Sequence, residues 1–214
     1  MGVGSAPTLE LSQIIYGVRD LDAATARIAA RGLTVLDGGR HPGLGTATRI
    51  VPLGRAYFEI LGVVDEAAAR ANPYGAALLR QTAAGDRLVR WSLRTNALDR
   101  VAADRDLVPE SRSRRRPDGT LLTWRAAGLS LSLVDGWLPF FMEWDDPAAY
   151  PGALSAKHPA QPSSVAWRSL TPGDPQQLQR WLGGAQPPLR VVDGEPGLHQ
   201  VALHTPDGPL ILPG

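Results

Sequence analysis

The sequence has no cysteine among its 214 residues, which excludes a disulfide scaffold, a thiolate metal centre and a cysteine nucleophile. It also lacks an excess of either charge. Twenty-two Lys plus Arg stand against 21 Asp plus Glu, a formal net charge of +1, so no global field draws the chain to nucleic acid or to an anionic membrane. No apolar run is long enough to span a bilayer, and the start Met1-Gly2-Val3-Gly4-Ser5-Ala6-Pro7 has neither the basic nor the apolar region of a leader. A soluble cytoplasmic protein with no nucleic-acid or membrane partner is the expectation.

With 43% hydrophobic residues the chain can bury a real core, as one larger domain or as two small modules. Nearly all of its positive charge is arginine, and 23 Gly and 19 Pro argue for many turns and short strands rather than a helical bundle.

A glutamate sits inside an apolar strand pattern twice, in Tyr57-Phe58-Glu59-Ile60-Leu61 and in Phe140-Phe141-Met142-Glu143-Trp144. A carboxylate in a strand that otherwise reads as buried must be paired, metal-bound or turned to a wet cavity, because desolvating it alone costs several kcal/mol. Each of these strands closes a similar string of elements. In the first, Leu9 to Val18 reads as a strand, and Asp20 or Asp22 caps a helix carrying Leu21, Ala24 and Ile28. A strand at Leu33 to Leu36, a glycine-rich turn from Gly38 to Gly45, a strand at Ala47 to Leu53 and the first glutamate strand complete it. The second string has a strand at Arg87 to Arg94, a helix within Asn96 to Arg105 and a strand at Arg112 to Arg116. A strand at Leu121 to Ala126 and the second glutamate strand follow. A shorter third copy is read from Val165 to Leu212, with a helix at Pro175 to Leu182 and no closing glutamate. The expected division is a first β-α-β-β-β module over 8–65, a helical connector over 66–85 and a second module over 86–146. A Pro/Gly-rich linker over 147–162 then leads to a partial third module over 163–213.

The unit order resembles the glyoxalase-like branch of the vicinal oxygen chelate superfamily. So do Val18-Arg19-Asp20-Leu21-Asp22, His41-Pro42-Gly43-Leu44-Gly45-Thr46, Pro52-Leu53-Gly54, Arg116-Pro117-Asp118-Gly119 with Trp124, and the two glutamate strands. The resemblance implies an α+β fold of repeated β-α-β-β-β modules whose curved sheets enclose a cavity. In metal-dependent relatives that cavity holds a divalent ion, bound by a first-strand side chain and a last-strand glutamate from each module. Carried onto this chain, the ligands would be Gln13, Glu59 and Glu143. The fourth position falls at Arg90 or Trp91, neither of which binds a metal; an inward Arg90 could pair with a glutamate and replace the ion's charge.

The expected protein is therefore a glyoxalase-like small-molecule binder without a cofactor, its catalysis open, with Glu59, Glu143 and His41 as the candidate catalytic groups. Arg90, Tyr57, Phe141, Trp91 and Arg114 are the candidate ligand contacts. Glu59 and Glu143 are expected to share one cavity and approach Arg90 or an arginine of the Arg112 to Arg116 strand. Two alternatives stand beside this reading: an enzyme of the glyoxalase or dioxygenase type using one divalent metal ion, and a structural protein whose cavity has filled. His41, read in a turn, can equally serve by bonding nearby backbone, and Gln13 can be a hydrogen-bonded structural residue. Arg112, Arg114 and Arg116 share one side of their strand, as a solvated face or as a grip on a carboxylate or phosphate. Trp91, Trp124, Trp144 and Trp167 fall in strands and read most simply as core, with one or two free to line a pocket. A homodimer is the open alternative to a monomer.

Overall fold

The computed structural model describes residues 7–212; the start read for a leader, at 1–6, and the last residue of 163–213 lie outside them. Eight strands close into a barrel: β1 (Glu10–Val18), β2 (Leu36–His41), β3 (Thr46–Pro52), β4 (Tyr57–Val63), β5 (Arg87–Arg94), β6 (Glu110–Arg115), β7 (Leu121–Ala127) and β8 (Phe140–Trp144). Their order around the wall is β1-β4-β3-β2-β6-β7-β8-β5. Each half repeats one plan. The first strand of the half lies parallel to its last, β1 to β4 and β5 to β8, with the two middle strands antiparallel beyond. The mixed α+β architecture of repeated modules curving around a cavity is the one the sequence implies.

The halves meet along two seams of unequal strength. β1 and β5 run antiparallel over most of their length, whereas β2 and β6 touch through the single pair Arg40 and Arg115. That second seam corrects the turn expected over Gly38 to Gly45. The strand expected at Leu33 to Leu36 lies further along, and Gly38-Gly39 are strand residues of β2, so only Pro42 to Gly45 turns. The reason is close approach. Gly39 adopts φ +103°, and a Cβ there would stand 1.9 Å from the Arg115 carbonyl oxygen. A side chain at this point would hold the halves apart.

Helices cover the outside and one end. Helix α1 (Leu21–Ala29) is capped by Asp20, whose side chain accepts from the Asp22 and Ala23 amides, and it buries Leu21, Ala24 and Ile28. Helices α2 (Glu66–Arg70) and α3 (Pro73–Gln81) follow β4, and Asn72 caps α3 by accepting from the Gly75 amide. Helix α4 (Leu98–Ala103) buries Leu98, Val101 and Ala102, and α5 (Leu129–Ser132) is a single turn before β8.

Strands β9 (Ser164–Thr171), β10 (Leu189–Val191), β11 (Gly197–Thr205) and β12 (Gly208–Leu212), with helix α6 (Pro175–Leu182), form a separate sheet in the order β10-β9-β11-β12. The first strand here is not beside the last, so the pairing differs from that of the barrel halves. This sheet packs on the outside of β5. Trp91 is fully buried there, its indole nitrogen donating to the Trp137 carbonyl at 3.0 Å, and the Arg168 guanidinium stacks on its ring at 3.6 Å from the centroid. Among the described residues no helix is long and apolar enough to cross a membrane.

Candidate functional site

The barrel encloses a cavity of about 100 Å³. Strand period two decides what lines it. From β4 come Tyr57, Glu59 and Leu61; from β1, Gln13 and Ile15; from β5, Arg90; and from β6, Arg112 and Arg114. His41 enters at the end of β2 and Thr46 at the start of β3, while Trp124 of β7 and Phe140, Met142 and Trp144 of β8 form the opposite wall. Helix α3 contributes Tyr74 and Leu78.

Glu59 is buried, and its Oε1 accepts from Thr48 Oγ1 at 2.8 Å. Burial raises its pKa above the ordinary carboxylate range, opposed by the positive charges of Arg114 and Arg90 and by the Thr48 hydrogen bond. Arg90 is 3% exposed and Arg114 is 5% exposed. Neither makes an ion pair with a carboxylate among the described residues, and Arg90 Nη1 and Arg114 Nε are buried without a hydrogen-bond partner. Burial draws Arg90 down to about 10, with Glu59 pulling the other way, so it remains a cation at neutral pH. Arg112 is better provided for: its guanidinium donates to Tyr74 Oη and to Glu110 and stacks over the Tyr74 ring, although its Nε is also buried without a partner.

His41 Nδ1 lies 3.0 Å from Thr46 Oγ1. Burial and the neighbouring Arg114, with a smaller push from Arg90, take it down to about 3, so the imidazole is neutral. Tyr57 Oη donates to Gln13 Oε1, and burial followed by the Glu59 charge pushes the phenol well above its usual range. Tyr57 thus stays a neutral donor and occupies the Gln13 carbonyl.

The structure brings Glu59, His41, Tyr57, Arg90, Arg114 and Gln13 together, and it separates Glu143, Phe141 and Trp91 from them. Glu143 lies on the outer face of β8, where it accepts from Arg125 Nη2 at 2.6 Å, and Arg125 also holds Asp99 of α4. The shared cavity expected for the two glutamates is therefore corrected, because the inward face of β8 is Phe140, Met142 and Trp144. Phe141 faces outward too, against Trp181 with ring centroids 6.0 Å apart and with Arg105 over its face. The choice between Arg90 and Trp91 resolves to Arg90, since Ile15 of β1 pairs with Arg90 and both line the cavity.

Several contributors escaped the sequence reading, Thr48, Met142, Leu44 and Tyr74 among them. Thr48 is masked by its place in an ordinary strand, Met142 by its apolar character and Leu44 by its place in a turn. Tyr74 lies in the helical connector, outside either repeat. A cation does not fit this donor set. Gln13 is taken by Tyr57, two guanidinium groups stand near Glu59, and no cluster of three His, Asp or Glu side chains exists among the described residues.

A family described as glyoxalase-like domain matches residues 13–186 of the sequence. No curated protein matches it. Among solved structures, a hypothetical protein from Staphylococcus aureus is similar at 14% identity and a TM-score of 0.64, over 95% of this chain and 84% of that one. The Mn(II)-bound glyoxalase from Novosphingobium aromaticivorans is similar at 14% identity and a TM-score of 0.53, over 92% of this chain and 65% of that one. At these identities the likeness is one of fold, and the chemistry has to be read from the cavity itself.

Proposed function

Given that the chain belongs to the glyoxalase-like domain family, we propose that it binds a small organic anion in the barrel cavity and does so without a metal ion. The observation that carries this reading is the pair of buried guanidinium groups, Arg90 and Arg114, with unpartnered nitrogens and no carboxylate in ion-pair contact. A buried cation without a partner is expensive in the free protein, and an incoming carboxylate or phosphate supplies both its counter-charge and its acceptors. Glu59 acts on both arginines only at a distance, with no ion pair to either among the described residues, so it supplies neither guanidinium with an acceptor. The open volume of about 100 Å³ speaks for a ligand rather than for the filled cavity of a structural protein.

Catalysis enters through Glu59. A carboxyl whose pKa is raised by burial, in a cavity that holds an anion, is suited to take or give a proton at a bound carbon or oxygen. The neutral His41 and the neutral Tyr57 are the hydrogen-bonding groups beside it. On this reading Glu59 is the proton-transfer group and the arginines stabilise the negative charge.

Calorimetric titration of acetate into the wild type and into Arg90→Met and Arg114→Met tests the binding step. Loss of a charge-assisted contact weakens acetate by about tenfold or more. Both variants keep their fold, since replacing an unpartnered buried guanidinium by a thioether of similar length is neutral or stabilising. Acetate affinity unchanged in both variants overturns the proposal.

A further inference from the structure

We infer that the anion is a short apolar monocarboxylate, with its carboxylate on Arg90 and Arg114 and a compact hydrocarbon body on the wall formed by Trp124, Phe140, Met142 and Trp144. This inference rests on the anion-binding reading above. It adds which anion is chosen.

The cavity is divided by strand. Following the barrel order, β4, β3, β2 and β6 contribute Glu59, Thr46, His41 and Arg114, whereas β7 and β8 contribute only Trp124, Phe140, Met142 and Trp144. Arg114 on β6 and Arg90 on β5 flank this neutral wall on its two sides. A ligand that satisfies the guanidinium groups places the rest of itself on the neutral wall. The indoles of Trp124 and Trp144 lie with centroids 5.0 Å apart and planes inclined at 34°, so they form one continuous apolar surface. Phe140 and Met142 are 2% and 1% exposed, so this surface is backed by a packed core and does not yield.

Size narrows the class. A dry cavity of about 150 Å³ holds benzene, and the present one is about 100 Å³. The cavity is smaller than that and opens to solvent on one side, so it favours a carboxylate with a short body over one with an aromatic ring. Charge narrows it further. Arg112 already has its counter-charge in Glu110 and a second acceptor in Tyr74, which leaves Arg90 and Arg114 as the guanidinium groups without a carboxylate, to share one head group rather than two. A dicarboxylate would put its second charge against the indole wall, where the one unpartnered donor is the neutral Trp144 Nε1 and no cation answers it.

The test is calorimetric titration of the full chain with four probes: 3-methylbutanoate, acetate, inorganic phosphate and 3-methylbutanamide. The expected result is that 3-methylbutanoate binds at least about tenfold more tightly than acetate, from burying three more carbons. It also binds at least about tenfold more tightly than its uncharged amide. Trp124→Ala, at a position already partly exposed, removes most of the advantage of 3-methylbutanoate over acetate. Acetate as tight as 3-methylbutanoate, phosphate tighter than either, or an unchanged preference in Trp124→Ala each overturns this inference and leaves the anion-binding reading standing. Silence from acetate, phosphate and 3-methylbutanoate alike overturns both.

Discussion

Arg125 Nη2 donates to Glu143 Oε2 at 2.6 Å on the outside of the barrel, and the same guanidinium reaches Asp99 at the start of α4. Glu143 thus ties β8 to β7, and Arg125 ties both to a helix, with no part of the group in the cavity.

Glu143→Gln is accordingly expected to cost little. The side chains of Arg125 and Glu143 are 35% and 25% exposed, and Asp99 keeps a hold on the guanidinium, so the loss is about 1 kcal/mol or less. Acetate affinity should stay at its wild-type value. Urea unfolding and calorimetry read the two quantities, and a fall in affinity of tenfold or more would place Glu143 back in the binding site.

Glu59→Gln is expected to change how stability depends on pH. The folded carboxyl titrates above its unfolded value because burial penalises the anion. Its contribution is then fully present below about pH 4.3 and is lost as pH rises through the folded pKa. The glutamine variant lacks that loss. As pH rises above about 4.3 the wild type should lose stability relative to the variant, with a slope of at most about 1.4 kcal/mol per pH unit, until the folded carboxyl has ionised. Parallel stability curves for the two proteins over this range would contradict the placement of Glu59.

Gly38→Ala is expected to damage the site through its arginine. A Cβ on Gly38 would lie 2.8 Å from Arg114 Nη1, 2.6 Å from Thr48 Cγ2 and 2.9 Å from the Thr48 carbonyl oxygen. The methyl group displaces both the guanidinium and the residue that bonds Glu59. Overpacking of this kind costs about 1 to 3 kcal/mol, and acetate binding should weaken with it. Gly43→Ala is the control: a Cβ there meets nothing within 4 Å, although φ +70° strains it, so its cost appears in stability alone. Equal binding by Gly38→Ala and wild type would contradict the role of Arg114.

Strand β5 and helix α6 were legible in the sequence to the residue, Arg87 to Arg94 and Pro175 to Leu182, because their patterns are bounded by charged, Gly or Pro signals. The place of Glu143 in an apolar strand was also legible, while the side to which it turns was not. Both faces of β8 are buried, the inner by the cavity wall and the outer by α4 and Trp181, so alternation carried no hydrophobic bias to choose between them. Tyr57-Phe58-Glu59 gave the right face because Phe58 is fully buried in the outer core and only its neighbours reach the cavity. Gly38-Gly39 read as a turn because glycine in sequence cannot distinguish a bend from a strand that must pass close to another. The close approach of β2 to β6 is a tertiary fact.

The central claim is that guanidinium charge does here what a divalent ion would otherwise do. Its most direct test is the affinity of acetate for protein stripped with a chelator, measured by calorimetry before and after stoichiometric Mn²⁺ or Zn²⁺ is restored. The account predicts the same dissociation constant in all three states, since Arg90, Arg114 and the occupied Gln13 leave the ion no place. Acetate binding that vanishes on stripping and returns with the metal would contradict it.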